Sequence, residues 1–277
     1  MSSSAVPSHR AVPSRNGALP PTLHVERDGP EDPVAVLRLA RAAKRNALDD
    51  ATVLGIEAFF AAPPPGVRAV VLEADGDHFS AGLDMGELAD RDAFAGMEHS
   101  RMWHRAFERI ERGSIPVVAV LKGAVVGGGL ELASAAHVRV AERSAFYALP
   151  EGQRGLFVGG GAAVRVQRLI GTALMTDMML TGRVLDATEG QAAGLSTYLV
   201  EDGAGPATAR ELAGRAAANS PVTNYAVLQA LPRIAETGRD EGFFLEALMA
   251  AVASSSGEAQ ERMRAFLAGR GAKVRPS

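Results

Sequence analysis

The sequence predicts an α/β protein with a helical C-terminal region. Two observations carry this. Strand-like and helix-like segments alternate from residue 22 to about residue 200, and helical spacing then dominates to residue 268. A chain of 277 residues, 47% of them hydrophobic, has enough apolar material for one large core. The two ends read differently. Residues 1–21 are rich in Ser, Pro, Ala and Arg and read as a disordered tail, and residues 269–277 read as a short flexible one.

The elements follow in order. Thr22 to Arg27 and Val34 to Leu39 flank the turn-rich run Asp28-Gly29-Pro30-Glu31-Asp32, which predicts a hairpin. Leu48 to Phe60 has helical spacing and is stopped by Pro63-Pro64-Pro65-Gly66. Val67 to Glu73 contains the continuous apolar run Ala69-Val70-Val71-Leu72, the mark of a strand buried on both faces. Asp75-Gly76-Asp77 is a turn, and Asp92 to Glu111 a helix with Phe94, Met97, Trp103, Phe107 and Ile110 broadly on one side. Ile115 to Leu121 is a second buried strand. Leu130 to Ala136 is a short helix after the glycines at 127–129, and Val138 to Ala141 a short strand. Gly155 to Gly161 is a glycine-rich loop. Beyond Ala162 the pattern is helical except for a strand near Tyr198 to Val200, with Pro221, Pro232, Gly238 and Gly257 as punctuation.

Composition excludes several function classes. The net charge of −3 offers no basic face for nucleic acid or an anionic membrane. With no cysteine there is no disulfide, no thiolate zinc site and no thiol nucleophile, which fits a reducing cytosol. No run approaches the roughly 20 apolar residues of a membrane span, and the N-terminal stretch lacks the apolar core of a signal peptide. No His/Asp/Glu cluster has ligand spacing, so no metal is expected.

Two segments carry chemistry. In His78-Phe79-Ser80-Ala81-Gly82-Leu83-Asp84-Met85, small residues after a buried strand let a ligand approach the main chain. In Lys122-Gly123-Ala124-Val125-Val126-Gly127-Gly128-Gly129-Leu130-Glu131-Leu132, a strand ends, the chain turns through glycines and a helix begins. A helix N-terminus presents unpaired N–H donors and a partial positive charge, which suits an anion, either phosphate or a developing oxyanion. The glycines form neither a P-loop, since no Gly-Lys-Ser/Thr follows, nor a dinucleotide fingerprint, since the Gly-x-Gly-x-x-Gly spacing is absent.

Together these segments resemble the crotonase (enoyl-CoA hydratase/isomerase) family. Further matches are Ala43-Lys44-Arg45-Asn46-Ala47-Leu48, Leu149-Pro150-Glu151, Arg168-Leu169-Ile170-Gly171, Leu180-Thr181-Gly182-Arg183 and Ala192-Ala193-Gly194-Leu195, in family order from about Thr22 to Leu267. The resemblance implies a spiral of β-β-α turns over residues 22–200. Residues 201–268 would then form a helical region that assembles trimers, often paired into hexamers. It places the two oxyanion-hole donors on the backbone N–H groups of Leu83 and Gly128. It also implies a CoA thioester as substrate, with no metal or redox cofactor.

The family covers several reactions, and side chains choose among them. The two glutamates of hydratase members fall on Glu131 and Glu151. By that resemblance Glu131 activates water for attack at C3 of a trans-2-enoyl-CoA, and Glu151 supplies the C2 proton. An isomerase using Glu151 alone, a 3-hydroxyacyl-CoA hydrolase and a non-catalytic acyl-CoA binder are the competing readings. CoA-binding positions fall on Lys44, Arg45, Ala47, Ala81, Gly82, Asp84, Met85 and Gly127. Phe94, Met97, Trp103 and Phe157 are candidates for the acyl pocket. Some positions depart from the family pattern. Val158 replaces a proline and Ala163-Val164 a Thr-Gln pair, which points to a more apolar loop entrance. Gly86 stands where some members carry a lysine near CoA. His137 replaces an aspartate and, like His78, reads as a structural residue.

Overall fold

The computed structural model describes residues 19–87 and 92–270. Most of both expected tails, residues 1–18 and 271–277, lies outside this range. Leu19 packs against the core, so the packed part of the chain includes residues ahead of Thr22.

The first hairpin pairs β1 (Leu23–Glu26) with β2 (Val34–Leu39) antiparallel, Leu23 opposite Leu39. To β2 the chain adds β3 (Ala69–Ala74), β4 (Val117–Leu121), β6 (Val138–Glu142) and β9 (Tyr198–Val200), all parallel, giving the sheet order β1-β2-β3-β4-β6-β9. Parallel strands need covered faces, which explains the unbroken apolar runs. One face joins the main core through Leu37, Val70, Leu72, Ala119 and Leu121. The other, Val71, Val118, Val120 and Val140, packs on Ala209, Ala213 and Ala217 of α6 (Gly205–Ala217). Alanines at i, i+4 and i+8 let that helix sit close to the sheet.

A second small sheet of β5 (Ala124–Val126), β7 (Phe146–Ala148) and β8 (Leu185–Asp186) was not foreseen. Strands of two or three residues are too short to show a period. Single-residue bridges extend this sheet backwards: Ser80 pairs with Val125 and Leu48 with Leu83. Each turn of chain thus runs through the large sheet, then the small one, then a helix. The turns are β2, Leu48 and α1 (Asp50–Ala61); β3, Ser80 and α2 (Ala93–Glu111); and β4, β5 and α3 (Gly128–Ala135). This is the β-β-α spiral. It also corrects the start of α1: Leu48 bridges to Leu83, and Asp49 caps the helix by accepting from Thr52 N–H at 2.8 Å. Asp92 caps α2 the same way.

After β7 come α4 (Ala162–Thr181), broken at Gly171 where φ is 78°, then α5 (Ala187–Ala193). The C-terminal region continues from α6 through α7 (Pro221–Tyr225), α8 (Leu231–Ile234), α9 (Arg239–Ser255) and α10 (Gly257–Leu267). Leu231, Phe243, Phe244, Leu248, Met263 and Phe266 of these helices are exposed. Among the described residues no helix is long and apolar enough to cross a membrane. Both structural histidines are tied to the main chain. His137 is half-buried, accepts from Val117 N–H at 3.0 Å and has its pKa pushed down to about 4, chiefly by desolvation of the ring. His78 accepts from Ala124 N–H at 3.0 Å.

Candidate active site

The site forms where the second and third turns of the spiral meet. Ser80 is held against β5, donating its N–H to the Ala124 carbonyl at 2.9 Å and accepting from Val126 N–H at 3.1 Å. Two residues on, Leu48 bonds to both neighbours of Leu83. Its N–H donates to the Gly82 carbonyl and its carbonyl accepts from Asp84 N–H, each at 2.8 Å. In a parallel bridge the residue between two such bonds turns its own N–H the other way. The Leu83 N–H therefore faces away from Leu48. Gly82 makes the bend, with φ +92°; a Cβ there would lie 2.7 Å from the Val126 carbonyl oxygen and 3.0 Å from the Gly128 nitrogen.

The short helix α3 begins at Gly128, two residues earlier than its apolar run suggested, because the glycines themselves form the first turn. The Gly128 N–H is therefore one of the helix's free N-terminal donors. A Cβ on Gly128 would lie 3.2 Å from the Leu83 nitrogen, and a Cβ on Gly127 would lie 2.6 Å from Glu151 Oε1. Leu83, Gly127, Gly128 and Glu151 thus line one small volume.

Glu131, in the first turn of α3, is 4% exposed. Its Oε1 accepts from Gly160 N–H at 2.7 Å and Ala162 N–H at 3.1 Å. Burial raises its pKa to about 7, and the nearby Glu151 charge adds to this, while the two amides pull the other way. Glu151 follows β7 and is also raised by burial; its Oε2 is buried with no hydrogen-bond partner among the described residues. Trp103 of α2 lies between the glycines, its ring 2.8 Å from a Cβ position on Gly128 and 2.9 Å from one on Gly160.

These groups line one pocket of about 360 Å³, at the small end of the range for ligand sites. It brings together Ala81, Gly82, Leu83, Met85, Gly127, Gly128, Glu131, Glu151, Trp103 and Phe157. Lys44, Arg45 and Ala47 stand outside it, on the loop beside its Ala81–Met85 wall, where Ala81 N–H donates to the Arg45 carbonyl at 2.9 Å, and Asp84 within that stretch does not line it. Asp84 Oδ2 pairs with Arg41 at 2.7 Å and Lys44 at 3.4 Å, and the Gly86 N–H, helped by these cations, holds its carboxyl low.

Phe94 and Met97 do not reach the pocket and are 68% and 49% exposed. The face of α2 that lines it is Gly96, His99, Ser100 and Trp103, one helical stripe to which neither residue belongs. The loop entrance is apolar through Leu156 and Phe157, which are exposed, whereas Val158 is buried. The sequence reading missed His99, whose Nε2 lies 2.7 Å from Asp50 Oδ1, and the two amides that grip Glu131. The spacing of His99 and Trp103, one turn apart, was the available signal for the first; amides leave none.

Residues 29–274 match the family model described as enoyl-CoA hydratase/isomerase. An Escherichia coli protein named 2,3-dehydroadipyl-CoA hydratase is 30% identical over 84% of this chain and 92% of its own length. The enoyl-CoA hydratase EchA19 of Mycobacterium tuberculosis is 30% identical over 89% of this chain and 93% of its own. A solved structure from Rhodopseudomonas palustris, described as a "putative enoyl-CoA hydratase", is 55% identical, with a TM-score of 0.86 over 91% of this chain and 97% of that one. Spiral and likenesses agree, and the chain belongs to the enoyl-CoA hydratase/isomerase family of enzymes.

Proposed function

We propose that this protein is an enoyl-CoA hydratase that adds water across the C2=C3 bond of a trans-2-enoyl-CoA thioester. The observation that carries the reading is the meeting of the buried Glu131 and the half-buried Glu151 in one pocket with Leu83 and Gly128, whose N–H groups would form the oxyanion hole. The thioester oxygen sits between the amides. As water attacks C3, the π electrons move toward that oxygen, and both hydrogen bonds strengthen with the developing charge. Glu131 takes the proton of the water, and Glu151 gives its proton to C2 as the enolate collapses. The pair begins and ends with one proton. Surroundings support these roles: two N–H bonds favour the charged form of Glu131, and an unpartnered buried Oε2 favours the neutral form of Glu151.

The acyl group enters past Met85, Leu156 and Phe157, with Trp103 over the reacting carbons. The CoA arm runs along Ala81–Met85, with its phosphates near the exposed Lys44 and Arg45. The exposed apolar residues of α8, α9 and α10 fit burial in a homotrimer or a dimer of trimers. A cytoplasmic location fits the cysteine-free composition.

Turnover of trans-2-enoyl-CoA substrates with product identification tests the reading. A 3-hydroxyacyl-CoA product supports it. A shifted alkene would make the enzyme an isomerase, free CoA a hydrolase, and tight binding without turnover a binding protein.

A further inference from the structure

Glu131 is gripped by the loop before α4, and that loop is itself gripped. Gly160 is held at both ends: its N–H donates to Glu131 Oε1 at 2.7 Å, and its carbonyl accepts from Arg165 Nη1 at 3.1 Å. Arg165 is a near-buried guanidinium on the first turn of α4. Its Nε donates to Glu111 Oε2 at 2.7 Å, at the last residue of α2. Between the two lies Gly161, with φ +112°, and a Cβ there would fall on the guanidinium itself. The loop is shaped around this cation. His104 of α2 reinforces it through the Gly159 main chain.

We propose that Arg165 is a positioning residue: anchored by Glu111, it fixes Gly160 so that the Gly160 and Ala162 amides stay on one oxygen of Glu131, leaving the other oxygen for the reacting water. This rests on the reading of Glu131 as the group that activates water. A planar fork suits the task, since one guanidinium reaches a carboxylate and a carbonyl in fixed geometry, which an ammonium does not reproduce. The charge matters as well. Glu131 faces Glu151 and Arg165, and Arg165 in turn faces Glu111 and His104, with Glu108 beside His104. Of these, Arg165 is the group that favours the Glu131 carboxylate.

The test is the pH profile of kcat/KM, with kcat and KM measured separately, for Arg165→Met and Arg165→Lys. Displacing Glu131 by a fraction of an ångström should cost about 10- to 10²-fold in kcat, with KM changing far less. In Arg165→Met the profile should also move to higher pH, because a cation favouring the carboxylate is gone. In Arg165→Lys the charge remains, so the profile stays near that of the parent while kcat still falls. A purely structural role would lower thermal stability without moving the profile. A folded Arg165→Met variant with kcat within twofold of the parent and an unmoved profile would overturn the proposal. So would full activity in Arg165→Lys, which decides the matter alone if the methionine variant does not fold. Glu131→Gln is measured alongside. Full activity there removes the role of Glu131 itself, whereas an inactive Glu131→Gln with parent-like Arg165 variants removes only the role of Arg165.

Discussion

Glu131 places the clearest demand on the fold at the scale of a single residue. The folded chain holds its proton to about pH 7, against 4.5 for a free glutamate, so folding takes up protons between those values. Stability from this group is therefore full below about pH 4.5, falls as pH rises through 7, and is level above; the whole effect is on the order of 3 kcal/mol. Glu131→Gln should flatten that slope in denaturant titrations at pH 5 and pH 8, and an unchanged slope would show that the group titrates normally. The same variant, and Glu151→Gln, should each lose about 10²–10⁴ in kcat. With both acids in place kcat/KM should be bell-shaped, its limbs belonging to the pair; a single-limbed profile would point to one base and so to isomerisation. Residue types were legible where chemistry needs a side chain: Glu131, Glu151 and Trp103 stand in the pocket. Phe94 and Met97 were misjudged because a hydrophobic residue on a helix does not reveal which stripe faces the site.

At the scale of elements, the site depends on where α3 begins. Its first turn is glycine because Gly128 faces Trp103, and the Gly129 Cβ position lies 2.5 Å from the Ser80 carbonyl oxygen. Gly128→Ala should place a methyl group 2.8 Å from the indole and beside the Leu83 nitrogen, and turnover should drop by about 10²–10³ as the donors are blocked. Parent-like turnover in a folded Gly128→Ala protein would remove Gly128 from the site. Long strands and helices were readable from their periods, and the caps Asp49 and Asp92 set two helix starts. The small sheet was not readable. It consists of short strands and the single-residue bridges at Leu48, Ser80 and Leu83, whose pairing is set by the spiral rather than by local propensity.

At the scale of the whole molecule, one body of chain builds the site and another remains apolar on its outside. Phe244, 70% exposed on α9, and Leu248 one turn beyond it leave a face that water disfavours. Light scattering after gel filtration should give three or six copies, and Phe244→Glu with Leu248→Glu should shift the population to smaller species. A monomeric parent would contradict this.

The central claim concerns the amides of Leu83 and Gly128, and the carbonyl they would grip reports on them directly. Difference infrared spectroscopy of a bound acyl-CoA carrying ¹³C at the thioester carbonyl should show its stretch moved to lower frequency than in water, as two donors polarise the bond. In Leu83→Pro, which lacks one N–H, much of that displacement should vanish along with turnover. A carbonyl stretch at its aqueous value in the active parent enzyme would contradict the account.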